Sequence, residues 1–222
     1  MSTRTLALGP DTRLLVLRVP AGRIEIHAAD AFATAGSVEL TAADPGDPAA
    51  AAAIDAAELS ASGVRASVTV RDTPSSLSVD DGAIRFSGGT VVAGNIGGVG
   101  NTAVVIGGTG ATAATSAGVE LTASVAPGTE IRVITTSARV IGRGDLGAVE
   151  IVTVSGRVDI ESATSVDIDS GTGPVRAHVT ISADIHARRG DVDLTHAPDV
   201  PARLLRVHSL GRISITEKGQ DR

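Results

Sequence analysis

The chain contains the stretch Val149-Glu-Ile-Val-Thr-Val-Ser-Gly-Arg-Val-Asp-Ile160, in which apolar residues alternate with polar ones on both sides of a glycine. Alternation with a period of two is typical of strands that are buried on one face only. The stretch therefore predicts two short strands that are joined at a corner containing Gly156.

The same pattern recurs in the second half of the chain at a regular interval of about 17 residues. The recurring glycines, which we expect at corners where a positive φ or a close backbone approach is needed, are Gly156, Gly173 and Gly190. The recurring apolar residues, which form the predicted structural repeat core, are Ile151, Ile168 and Ile185 together with Val158, Val175 and Val192. A unit this short cannot bury its apolar face alone, so successive copies must stack.

Stacked copies predict an all-β fold, a single-chain β-solenoid (β-helix) with about 17 residues per coil and right-handed coiling favoured. An antiparallel β-sandwich is the alternative, because strands at this spacing also suit that class. One short helix is predicted near residues 48–60, where Asp47 supplies an N-cap and Pro48 the first helical position.

The whole chain, residues 1–222, is predicted to be one elongated domain with three regions. Residues 1–86 hold irregular strands and the helix, residues 87–119 form a glycine-rich insertion without charged residues, and residues 120–217 hold the regular coils. The insertion is either a hairpin with a mobile tip or a self-association surface. Its apolar residues, which suit burial on both faces, are Val91, Val92, Val104, Val105 and Ile106.

Composition excludes several classes of function. The absence of cysteine rules out disulfides, thiolate zinc sites, iron–sulfur clusters and a cysteine nucleophile. With no Trp or Tyr, only two Phe and a net charge of -6, the chain is poorly suited to nucleic acid. We expect no cofactor, no metal and no small-molecule ligand. The first residues lack a secretory pattern, which predicts a cytoplasmic location without membrane insertion.

The copies Val149-Glu-Ile-Val-Thr-Val-Ser-Gly-Arg-Val-Asp-Ile160 and Arg188-Arg-Gly-Asp-Val-Asp-Leu194 resemble the recurring phrase of the bacterial "putative adhesin" family of β-strand repeats. The resemblance covers the C-terminal half and extends to residues 22–40. It implies a β-helical fold and a binding or structural role, and the family supplies no catalytic residues to transfer.

Stacking also predicts columns of outward side chains. Asp159, Arg176 and Asp193 would alternate in charge, which favours neighbouring pairs. A second column holds only carboxylates, Glu150, Asp167 and Asp184, and predicts either a solvated acidic face or a calcium ladder.

The sequence as a whole favours a non-enzymatic binding, scaffold or self-assembly protein whose partner is another protein or a second copy. The alternative is a carbohydrate-active β-helix enzyme, a lyase or hydrolase, in which Asp167, Asp169 and Arg188 would have to converge in one cleft.

Overall fold

The computed structural model describes residues 2–29, 36–71, 77–80, 83–86 and 118–219. Almost every regular element is a strand. In chain order the strands are β1 (Thr3–Leu8), β2 (Leu14–Arg18), β3 (Gly22–Ala28), β4 (Gly36–Ala42), β5 (Glu58–Ser62), β6 (Arg65–Thr69), β7 (Leu77–Asp80), β8 (Ala83–Phe86), β9 (Val119–Val125), β10 (Glu130–Thr135), β11 (Arg139–Arg143), β12 (Leu146–Thr153), β13 (Val158–Ser170), β14 (Val175–Ala187), β15 (Val192–His196), β16 (Leu205–Ser209) and β17 (Ile213–Glu217).

The predicted helix forms, but it is shorter than expected. Helix α1 (Pro48–Asp55) begins after Asp47, whose carboxylate accepts hydrogen bonds from the backbone N–H groups of Ala49 and Ala50. It ends before the alternating residues of β5, which continue the chain as a strand. Ala53 and Ile54 of α1 belong to the common apolar core, and the helix contacts β1, β4 and β9.

Eleven strands follow one another in a single path of paired neighbours, in the order β1-β4-β9-β3-β11-β13-β12-β10-β2-β6-β5. The path turns at β13, because residues 158–160 pair with β11 and residues 163–170 pair with β12. The two ends of the path, β1 and β5, contact each other. The sheet is therefore nearly closed and barrel-like.

The turn at β13 divides the sheet into two limbs. The first limb contains β9, β3, β11, the first part of β13 and of β14, then β15 and β17. The second limb contains β6, β2, β10, β12, the later part of β13 and of β14, then β16. The inward side chains of both limbs belong to one apolar core.

The predicted β-solenoid is wrong. Stacked coils would make every neighbouring pair parallel, whereas the sheet is mixed. Strand β4 pairs antiparallel with β1 and with β9, and β5 pairs antiparallel with β6. Strands of the first half also lie beside strands from far along the chain, with β3 between β9 and β11. The regular spacing covers only the second half of the sequence, so it carried no information about these pairings.

The regular interval has a different structural meaning: it is the register between three consecutive parallel strands. Ile151 of β12 lies opposite Ile168 of β13, and Ile168 lies opposite Ile185 of β14. All three side chains are fully buried. Val158, Val175 and Val192 are likewise register partners and are buried.

Close backbone approach explains the recurring corner glycines. A Cβ atom on Gly173 would lie 1.9 Å from the carbonyl oxygen of Gly156, and one on Gly190 would lie 2.0 Å from that of Gly173. None of these three residues has the positive φ that was the other possible reason. Each corner therefore rests directly on the backbone of the one before it.

Candidate functional site

Strands β16 and β17, which we call the open edge, are the last strand of each limb. Strand β16 pairs only with β14, and β17 pairs only with β15, within the part of the chain that the structure describes. Each continues the inward rows of the strand below it. Val207 lies opposite Ile185, and Ile213 and Ile215 lie opposite Val192 and Leu194.

These inward positions reach solvent at the open edge. Ile213 and Ile215 are 42% and 47% exposed, whereas Val192 and Leu194 beneath them are buried. Leu205 and Val207 of β16 are only partly buried against the core, and Leu210 between the two strands is 80% exposed. The open edge is therefore an apolar end face bordered by the backbone edges of two strands.

The opposite end of the sheet is sealed. Helix α1 places Ile54, which is fully buried, against the core there. The guanidinium of Arg4 on β1 donates hydrogen bonds to the backbone carbonyls of Asp55, at 3.1 Å, and of Ala57. These bonds tie β1 to the end of the helix, so the two ends of the molecule differ: one is capped and the other presents apolar side chains.

Charged residues at the open edge are mainly cationic. Residues 205–219 include Arg206, Arg212 and Lys218 but only one acid, Glu217. The side chain of Arg206 is 78% exposed, and the carboxylate of Asp184 lies 3.9 Å from its guanidinium.

A shallow groove of about 470 Å³ crosses the outer face of the second limb. Its lining includes the small residues Ala148, Ser165 and Ser182, which are register partners. Beside them runs the predicted carboxylate column, Glu150, Asp167 and Asp184, which the register places on adjacent strands.

Cations relieve part of the repulsion within the carboxylate column. Arg132 lies 3.1 Å from Glu150, and Arg206 lies 3.9 Å from Asp184, whose carboxylate also has the imidazole of His186 at 3.3 Å, a group that is charged only when protonated. No group of three or more metal-ligating side chains with suitable geometry occurs among the described residues. The register thus places three carboxylates side by side, with an arginine beside Glu150 and another near Asp184.

The residues of the enzyme alternative do not meet in one cleft. Asp167 lines the groove, whereas Asp169 and Arg188 line a separate depression beside His186 and His208. The imidazole rings of these two histidines lie 5.9 Å apart on neighbouring strands. Sequence reasoning missed this pair, because an insertion before β16 separates the two histidines by more than the regular interval.

The predicted alternating column lies on the outer face of the first limb, in the order Asp159, Arg176, Asp193. Arg176 bonds Asp193 at 3.2 Å. Asp159 instead accepts hydrogen bonds from Arg157, at 2.8 and 3.0 Å, and from Arg139, at 3.2 Å. Burial by itself would raise the pKa of Asp159, but the hydrogen bonds and charges of these two arginines outweigh it and lower the pKa below its ordinary 3.8.

We expect the substitution Asp159→Asn to lower the free energy of unfolding by about 1 kcal/mol at neutral pH, since the two arginines that bond the carboxylate are about half exposed to solvent. The folded pKa lies below the unfolded value of 3.8. The contribution of the carboxylate is therefore complete above that value and is lost as the pH falls through the lowered folded pKa. Urea denaturation across the acid range should show a flatter pH dependence for the variant.

The matched control is Asp193→Asn, which removes a carboxylate that bonds one arginine and is about half exposed. Its effect at neutral pH should be smaller. Equal losses for the two variants would show that the double arginine contact of Asp159 adds nothing.

A half-buried imidazole lies near the end of β17. Burial lowers the pKa of His178, and the positive charge of Lys218 lowers it further. Its Nε2 atom is buried without a hydrogen-bond partner among the described residues. His178 belongs to the first limb, whereas the pair at 186 and 208 lies on the second limb.

Two further expectations concern the glycine-rich insertion and membrane insertion. The self-association residues Val91, Val92, Val104, Val105 and Ile106 lie outside the described residues. In the described part of the chain, no helix has the length and apolar character required to cross a lipid bilayer.

Comparison with known proteins gives only distant likenesses. No family model matches the sequence, and no curated protein does. The crystal structure of a "putative cell adhesion protein" from Clostridium sporogenes ATCC 15579 is 9% identical, with a TM-score of 0.42 over 98% of this chain and 99% of that one.

Two further crystal structures come from the genus Parabacteroides. A "putative lipid binding protein" from P. distasonis ATCC 8503 is 10% identical, with a TM-score of 0.30 over 97% of this chain and 96% of that one. A "putative adhesin" from P. merdae ATCC 43184 is 10% identical, with a TM-score of 0.23 and the same coverage. None of the three names is that of an enzyme, and at this level of similarity none carries an inference about this chain.

Proposed function

We propose that the chain is a non-enzymatic binding protein that takes up an extended segment of a protein partner as an additional strand at the open edge. The observation that carries the proposal is the contrast between the two ends of the sheet. The inward rows end in the partly exposed side chains of Leu205 and Val207 on β16, beside the exposed Ile213 and Ile215 of β17. At the other end α1 closes the core with Ile54.

Strand addition suits this surface because it satisfies two needs at once. The incoming backbone would pair with the edge of β16, where the described residues provide no neighbour. Its inward side chains would cover Leu205 and Val207, which the core leaves partly exposed. Removing apolar area from water contributes roughly 25 cal/mol per Å², so the side chains would supply affinity. The backbone hydrogen bonds would align the bound segment along β16.

A neutral probe tests strand addition without involving charge. We expect a short peptide that alternates valine with threonine to bind the chain and to slow amide hydrogen exchange in residues 205–209. Val207→Lys should weaken this binding by about tenfold or more, because a charge then lies in the row that the peptide must cover. Val207→Thr keeps the shape of the side chain and should give an intermediate loss of binding. It replaces the lysine variant in the test if that variant folds poorly.

The control is Val64→Lys, which introduces the same charge at an exposed valine in the turn between β5 and β6. Binding to this variant should equal that of the unmodified chain. Equal binding to all variants, or protection of the groove instead of β16, would contradict the proposal.

A further inference from the structure

We infer that the partner segment is acidic on one face: it alternates apolar residues with aspartate or glutamate and pairs with β16. This inference rests on the proposed function and specifies the chemistry of the partner. It follows from the directions of the side chains on β16, from the charges at the open edge, and from the way in which the molecule pairs its own strands.

The side chains of β16 alternate between the core and solvent. Leu205 and Val207 face the core and are partly buried, while Arg206 and His208 are exposed. Opposite residues on paired strands lie on the same side of the sheet. A strand added to β16 would therefore set apolar residues over Leu205 and Val207 and would set its other residues beside Arg206 and His208.

The positive charge of Arg206 is only weakly compensated. The carboxylate of Asp184 lies 3.9 Å from the guanidinium and also has His186 at 3.3 Å. Arg212 and Lys218 add further positive charge at the two ends of β17. An acidic residue on the incoming strand would lie opposite Arg206, at the spacing between neighbouring strands of a sheet.

Pairs of an arginine and a carboxylate directly opposite each other on adjacent strands already occur inside the molecule. Arg132 and Glu150 are register partners on β10 and β12, and they bond at 3.1 Å. Arg176 and Asp193 are register partners on β14 and β15, and they bond at 3.2 Å. An acidic residue beside Arg206 would extend this arrangement by one strand.

A second copy of the chain fits the open edge less well. Antiparallel self-pairing of β16 with its apolar side chains facing inward sets Arg206 opposite Arg206 of the other copy in the register centred on that residue, and no register sets it opposite a carboxylate of β16. Like charges directly opposite each other destabilise a pair of strands. Stacking on the other end of a second copy is blocked by α1 and by the bonds of Arg4.

The test compares three peptides that alternate valine with glutamate, threonine or lysine. At low salt we expect the glutamate peptide to bind about tenfold tighter than the lysine peptide, with the threonine peptide between them. Added salt should narrow the difference, because exposed charges are screened. Arg206→Glu should reverse the order of the glutamate and lysine peptides.

Arg65→Glu is the matched control, since it makes the same charge change at an exposed residue on β6, away from the open edge. It should leave the order unchanged. If the three peptides bind equally, or if Arg206→Glu does not alter the order, the acidic partner is overturned while strand addition survives. If none of them binds, or if light scattering shows that a dimer formed through β16 excludes all three, both proposals fail.

Discussion

The substitution Gly173→Ala should destabilise the chain by about 3 kcal/mol or more and should leave little folded protein at physiological temperature. The added methyl group would lie 1.9 Å from the carbonyl oxygen and 2.6 Å from the carbonyl carbon of Gly156. Both are backbone atoms, so no side-chain rotation can relieve the contact. Gly156 cannot withdraw easily, because a Cβ built there is itself only 2.1 Å from the carbonyl oxygen of Ala138.

Two control variants separate the destabilisation caused by close contact from that caused by backbone strain and from the effect of replacing any glycine by alanine. Gly9→Ala adds a methyl group whose nearest neighbour is 3.9 Å away, and we expect almost no change in stability. Gly128 has a φ of +75° and open space around its Cβ position, so Gly128→Ala should cost about 1 kcal/mol from strain alone. Urea denaturation followed by circular dichroism ranks the three variants. If the Gly173→Ala protein were as stable as the Gly9→Ala protein, the close backbone contact between successive corners would be contradicted.

The regular spacing in the second half of the chain identified which residues become neighbours. Ile151, Ile168 and Ile185 share one row because the constant interval between them fixes the register between parallel strands. The same spacing did not determine the architecture. Alternation reports which face of a strand is buried, but it does not distinguish a parallel neighbour from an antiparallel one. The antiparallel pairing of β4 with β1 and β9 therefore has no local signature.

The candidate site was hidden from sequence reasoning for a related reason. Ile213 and Ile215 alternate with polar residues in the same way as Val192 and Leu194, yet one pair is exposed and the other is buried. The difference depends on whether another strand lies beyond them, which is a property of the assembled sheet. The corner glycines show the opposite case. Close backbone packing at the same position of each repeat leaves no room for a Cβ atom, so glycine recurs there and can be recognised in the sequence.

We expect Ile168→Ala to lower the free energy of unfolding by about 3 to 4 kcal/mol, which corresponds to a fall in Tm of about 10 °C for a chain of this size. Ile168 is fully buried and lies between Ile151 and Ile185 on the neighbouring strands. The loss combines the transfer free energy of the deleted methyl and methylene groups with the cost of the cavity they leave. Both neighbouring strands are held in register along β13, so the cavity cannot collapse fully.

Ile215→Ala gives the informative comparison, because it makes the same chemical change in a row of the same sheet, at a position that is 47% exposed. Much of its side chain is in water already, so we expect a loss of no more than about 1 kcal/mol. The two values, obtained from urea denaturation of both variants under one set of conditions, measure how far burial differs between the middle of the sheet and the open edge. Equal losses would mean that Ile215 is covered in solution. In that case the β17 side of the open edge, next to the strand to which we assign partner binding, would already be covered.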